Sequence, residues 1–161
     1  MPAYGLSIGV ATLSGRYVGA GDLAAVTRSL RSALALGAGI CLCVMLGFVS
    51  FPETLVGLFA TDTAVLAEAR PLLLLASGFL FFDAASIIVV GALRGAGDTR
   101  FPFLYESVLS WALFLPGAWL LGVWQGGGVL GAWTAGVLYV IVLSGGMLFR
   151  FRSGAWRKVA I

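Results

Sequence analysis

Charge is withheld from three long stretches of this chain. Between Arg31 and Glu53 no residue is ionised, between Arg70 and Arg94 the only acid or base is Asp83, and between Arg100 and Arg150 the only one is Glu106. A helix needs about 20 apolar residues to cross a hydrocarbon core of roughly 30 Å, and each window supplies that length, the last one twice. With 60% of its 161 residues hydrophobic and 11% charged, the chain carries more apolar surface than a soluble fold can hide, so the bilayer is its solvent. The runs are rich in Leu, Ala and Gly and lack the alternation of barrel strands. The expected fold class is therefore all-α, a polytopic membrane protein.

Residues 1–161 read as one unit with a partial first span and four full ones. The first, about 2–14, is too short to cross alone and looks like the end of a helix begun elsewhere. The second, about 32–51, stops at Pro52, which cannot continue the hydrogen-bond ladder. The third, about 71–93, has Pro71 in its first turn. The fourth, about 103–124, contains Pro116 as an expected kink. A turn at Gln125 to Gly128 then leads into the fifth, about 129–149. Asp22 is expected to cap a short helix bearing Arg28 and Arg31, and Leu55 to Phe59 to form an interfacial helix or the end of a long span.

The loops set an orientation. Arg16, Arg28, Arg31, Arg94, Arg100, Arg150, Arg152, Arg157 and Lys158 fall on one side, whereas Arg70 stands on the other beside Glu53, Asp62 and Glu68. Basic loops stay in the cytoplasm, so the C-terminus is expected inside. The formal charge of +3 thus reflects topology, and no nucleic-acid partner is expected. No cleavable leader is expected either, because Met1 to Tyr4 carries no basic start. Histidine is absent, and no serine or cysteine has the basic partner that a nucleophile needs, which argues against an enzyme and against a cofactor. Cys41 and Cys43 point to different helix faces and read as small core residues.

Asp83 lies 11 or 12 residues from either end of its span, near the bilayer midplane. A charge there costs about 3 kcal/mol on insertion scales, so an acid at that depth is expected to serve a cavity. Phe79, Asp83, Ser86 and Val90 share a helical stripe, flanked by Ser77 and Phe82. Phe79, Phe82 and Ser86 are thus the candidate lining of a cavity around Asp83. A carboxylate in such a place can hold a proton, because desolvation favours its neutral form, or a small hard cation, or an organic cation lying on phenyl faces. The alternative is that Asp83 bonds a serine or backbone group of a neighbouring helix and only fixes packing. Glu106, about a turn inside its span, reads equally well as a solvated or capping residue. Gly91 with Gly95, Gly5 with Gly9, and Gly127 with Gly131 repeat the GxxxG spacing that lets helices touch. Gly95, Gly97 and Asp98 form a candidate helix-end turn, in which glycine supplies the left-handed residue and Asp98 caps or braces the next segment. The string GAGD occurs at Gly19 to Asp22 and again at Gly95 to Asp98.

In this order, VGAGD from Val18, PETLVGLFATD from Pro52, FFDAASIIVVGALRGAGDTRFP from Phe81, LPGAWLL from Leu115 and GVLGAW from Gly128 resemble the C-terminal half of the multidrug and toxic compound extrusion (MATE) transporters. The resemblance implies one part of a twelve-helix protein, whose two lobes enclose a central cavity and exchange cationic lipophilic compounds for protons or sodium by alternating access. It implies that Asp83 is the acid of the tenth helix, coupling to cation and drug, with H+ or Na+ as the coupling ion. Sodium-coupled members often carry a tyrosine where this chain has Phe79, which removes one oxygen ligand. The implied partners are small organic cations, membrane lipid and an N-terminal lobe from the same or a separate polypeptide. The implied location is the cell's inner (plasma) membrane. A lipid-linked sugar flippase of the same superfamily and a non-transporting packing subunit are the alternatives.

Overall fold

The computed structural model describes residues 2–57 and 63–159. Every regular element among them is helical: α1 (Pro2–Gly19), α2 (Leu23–Ser50), α3 (Pro52–Gly57), α4 (Thr63–Gly95), α5 (Arg100–Leu109), α6 (Leu115–Trp119) and α7 (Gly128–Arg152). A 3₁₀ turn, Ala155–Lys158, comes after α7. Among the described residues four segments are long and apolar enough to cross a membrane, namely Leu23–Ser50, Pro71–Gly95, Arg100–Trp124 and Gly128–Arg152. They overlap the four spans expected at about 32–51, 71–93, 103–124 and 129–149.

The boundaries differ in instructive ways. The first helix runs on to Gly19, past Ser14, because nothing in Gly15 to Val18 breaks it. Asp22 caps a helix through its Oδ1, which accepts the Ala25 N–H at 2.9 Å. That helix is not short, however: Arg28 and Arg31 lie on the first turns of α2 itself. Pro71 is likewise not at a helix start but inside α4, which begins at Thr63. Proline sacrifices one ladder bond there, a tolerable loss in a helix of 33 residues. The α2 helix does end before Pro52, with the Phe51 N–H returned to the Gly47 carbonyl. Only the start of the Leu55 to Phe59 stretch belongs to α3; Leu58 and Phe59 lie outside the described residues, as does Asp62.

The kink expected at Pro116 takes a specific form. The span Arg100–Trp124 is broken by two π-helical segments, Ser110–Phe114 and Leu120–Trp124, on either side of α6. Proline has no N–H to give to the carbonyl one turn back, and the ladder widens before it, so that Leu115 N–H reaches Ser110.

The α4 helix packs against α1, α2 and α7. Its face toward α1 is built from glycine. Ser7, Ala11 and Gly15 of α1 recur every four residues and meet Gly91 and Gly95 of α4, while the Ser7 hydroxyl donates to the Ile87 carbonyl at 2.9 Å. A Cβ on Gly95 would stand 2.7 Å from the Ala11 Cα, which as backbone cannot yield. The other two GxxxG pairs are used differently. Gly131 abuts the backbone of Leu121 within its own hairpin, and a Cβ on Gly5 or Gly9 would meet nothing within 4 Å. Gly95→Ala is therefore expected to destabilise the protein by about 1–3 kcal/mol through overpacking, whereas Gly9→Ala costs nothing. Thermal unfolding of the two detergent-solubilised variants checks this; equal midpoints would mean that α1 and α4 do not meet through Gly95.

Both copies of GAGD form the same turn. Asp22 N–H bonds the Tyr17 carbonyl and Gly21 N–H that of Val18; Asp98 N–H bonds Leu93 and Gly97 N–H bonds Arg94. Gly21 and Gly97 take φ of 75° and 93°, the left-handed region that this helix ending needs. Gly95 is not left-handed. It stays in the helix and serves the contact with Ala11.

The two aspartates diverge in use. Asp22 caps α2 and lies 3.5 Å from the exposed Arg28, whereas Asp98 is 2% exposed and accepts the Arg150 Nε–H at 2.8 Å. The Arg150 guanidinium also lies over the Phe101 ring, 4.7 Å from its centroid. Asp98 thus braces α7 rather than capping α5. Beside it the core continues through Leu93, Met147, Phe151 and Trp156, whose indole N–H bonds the Phe151 carbonyl. The ends of α1, α4 and α7 that carry Arg16, Arg94 and Arg150 are in this way drawn to one side, as the charge pattern requires.

Candidate functional site

Asp83 is half-buried on α4. Among the described residues its carboxylate has no ion-pair partner and accepts no hydrogen bond from another side chain. Ser86, one turn on, is buried and donates its hydroxyl to the Asp83 backbone carbonyl at 2.8 Å, satisfying itself within the helix. An unpaired carboxylate at mid-span is expensive, and one facing cavities is the kind that binds something.

Among the described residues, two cavities border it. The first, about 140 Å³, is lined by Tyr4, Ser7, Asp83, Ser86, Glu106 and Tyr139, among others, and ends at Arg94. Arg94 lies 11 residues further along the helix than Asp83, roughly 16 Å at 1.5 Å per residue, so residues of both mid-span and the basic edge line this polar cleft. Its far wall is organised by the irregular span: Ser110 donates to the Glu106 carbonyl at 2.8 Å, and its hydroxyl lies 3.1 Å from that of Tyr139 on α7. The second cavity, about 190 Å³, lies on the other flank, between α2, α4 and the start of α1. Ile40, Cys41 and Val44 of α2 face Leu80, Ala84 and Ile87 of α4 across it. Asp83 and Ile87 line both.

The stripe of Asp83, Ser86 and Val90 lines the polar cleft together with Ile87. Phe79 and Phe82 line neither cavity. Phe79 instead packs edge to face on Trp133, centroids 5.9 Å apart, and beside Gly136 of α7. Phe82 packs edge to face on Phe81. Gly95, Gly97 and Asp98 stand at the end of the same helix, apart from both cavities, in the turn and brace described above.

Other site residues came from outside the sequence argument. Glu106, read in the sequence as solvated or capping, is exposed and also lines the polar cleft with Asp83. Tyr4, Ser7, Ser110 and Tyr139 were legible only as isolated polar groups in apolar runs. Cys41 is not a core residue: it is half-buried against the apolar cavity, its thiol 3.8 Å from the Leu80 carbonyl, and Cys43 faces outward.

Among the described residues, all-helical structure with four segments long and apolar enough to cross a membrane marks a multi-pass membrane protein. Comparison with known proteins gives the family. The MatE family profile matches residues 1–120, and the chain belongs to the MatE family. It is 32% identical over 161 residues to a protein of Thermotoga maritima named "Probable multidrug resistance protein NorM", with 100% of this chain and 35% of that protein covered. A Pseudomonas putida protein of the same name is 34% identical over 158 residues, covering 95% of this chain and 34% of that protein. "Uncharacterized transporter YisQ" of Bacillus subtilis is 30% identical over 153 residues, covering 94% and 33%. The chain spans about a third of the length of the curated relatives it matches.

Proposed function

We propose that this chain forms part of the C-terminal lobe of a secondary active multidrug efflux antiporter, which exchanges cationic lipophilic compounds for protons or sodium by alternating access. The observation that carries the reading is the unpaired Asp83 carboxylate, bordered by a polar cleft on one flank and an apolar cavity on the other. A proton or a hydrated ion is stable in the first, an organic cation against the second, and one carboxylate cannot be fully occupied by both. Competition for a single charge is what couples two opposite fluxes. The names of the relatives support the substrate class.

In this reading no covalent chemistry and no cofactor is involved; the coupling ion is H+ or Na+. Phe79 on Trp133 offers no oxygen toward a sodium ion. Any sodium ligands beyond Asp83 would come from Ser7, Glu106 or Tyr139, which line the polar cleft with it. A further lobe, from the same or a separate polypeptide, completes the central cavity. The protein lies in the cell's inner (plasma) membrane with its C-terminus in the cytoplasm, supported by the nine basic residues of one side against one on the other.

Everted membrane vesicles from cells expressing the gene that encodes this chain, in its full extent, test the reading. An acid or sodium-loaded lumen should drive accumulation of ethidium, and collapsing that gradient with an ionophore should release it. Accumulation that ignores both gradients would overturn the antiporter.

A further inference from the structure

The two flanks of Asp83 are unlike, and the apolar one is too small for a whole drug. Ligand pockets for drug-sized molecules run to about 300–1,000 Å³, whereas the cavity between α2 and α4 measures about 190 Å³. An apolar cavity of about 150 Å³ is enough to take up one benzene molecule. Its walls are Gly37, Ile40, Cys41 and Val44 on one side and Leu80 and Ala84 on the other. Gly37 faces the Ile88 side chain closely, so this wall is set by packing of α2 on α4. The same cavity is bounded by Asp83, the one acid of the span, which has no counter-charge among the described residues.

We propose that this cavity is an arm pocket: it takes one aromatic or branched alkyl arm of a monovalent organic cation whose charged centre is held by Asp83. The inference rests on the transport reading and deepens it, because it assigns selectivity for arm size to α2 and α4. A cation with a phenyl arm gains the burial of a ring, whereas one with only methyl groups leaves the cavity empty and is held by charge alone. The coupling ion would reach the same carboxylate from the polar cleft on the opposite flank once the organic cation has left. Cys41 lines the pocket and is half-buried, whereas Cys43, two residues on, is exposed and does not line it.

Binding to the purified full-length protein separates the outcomes. The probes are tetraphenylphosphonium and tetramethylammonium, and the variants are Asp83→Asn, Cys41→Trp and Cys43→Trp. Asp83→Asn should weaken both cations at least tenfold. Cys41→Trp should weaken tetraphenylphosphonium at least tenfold and tetramethylammonium less than twofold, with Cys43→Trp changing neither. Wild-type binding that ignores Asp83→Asn would sink the transport reading and the pocket with it. Binding that needs Asp83 but is unchanged by Cys41→Trp, or weakened equally for both probes, overturns the pocket alone. That is the result if lipid or another helix fills the cavity. Should Cys41→Trp fail to fold, Leu80→Ala asks the question in reverse: widening the cavity should shift relative affinity toward the bulkier of two aryl phosphonium cations, and an unchanged ratio overturns the proposal.

Discussion

In the full-length protein, Asp83→Asn is expected to abolish the proposed drug efflux while leaving membrane content at wild-type levels. Asparagine keeps the volume and one oxygen and removes only the charge. A unit charge about 4 Å from its partner is worth roughly 4 kcal/mol at an effective dielectric of 20. Discounting that by half for the partial exposure of Asp83 still leaves about 2 kcal/mol, more than tenfold in cation affinity. The coupling step suffers further, since an amide neither binds nor releases a proton in the working pH range. Insertion should be helped rather than harmed, because the variant is spared an insertion cost of about 3 kcal/mol. Asp83→Glu keeps the charge on a longer arm and should retain part of the activity. Ethidium efflux and drug resistance, normalised to membrane content, are the measurements. Full resistance in Asp83→Asn would show that Asp83 only fixes packing.

The second large effect falls at the basic end of the bundle. Asp98→Ala should destabilise the protein by about 3–5 kcal/mol, the cost of leaving one member of a buried ion pair alone. Arg150 is only 25% exposed, its Nε lies 2.8 Å from Asp98, and its plane is held over Phe101. With Asp98 gone, the guanidinium must find water through a wall made of Phe101, Met147 and Phe151, or pull α7 away from the α4–α5 turn. Replacing both partners is expected to be much milder. Asp98→Ala combined with Arg150→Met leaves an apolar side chain on Phe101 and no stranded charge. Thermal unfolding of the single and double variants decides it. If the two single effects simply add in the double variant, the pair does not act as one unit.

Much of this architecture is visible in the spacing of charges. The four full spans can be read from it, because each ionised group at the bilayer centre costs several kcal/mol, which confines Arg, Lys, Asp and Glu to the edges. The GAGD turns are equally legible, since only glycine takes the left-handed residue without cost. Helix ends are less so. Pro71 sits within α4 rather than at its start, because a long membrane helix held by its neighbours absorbs one missing bond. The π-helical form of the kink around Pro116 is a choice among several ways of rehousing the freed carbonyls.

The rotation of each helix is where sequence reasoning stops. In water an apolar stripe marks the buried face, but in lipid both faces are apolar and the stripe vanishes. Phe79 and Phe82 were therefore as good candidates for the wall around Asp83 as any neighbour. Packing turned Phe79 to Trp133 instead and brought Cys41 and Glu106 to the acid from other helices. Gly91 and Gly95 decided that rotation, since the α1 backbone lies against α4 at a distance that leaves no room for a Cβ at either position. Charge placement, a one-dimensional property enforced by solvation, thus made this a membrane bundle with an acid at mid-span. Which side chains surround that acid depends on close contact between helices, a property of short-range steric fit that no linear pattern carries.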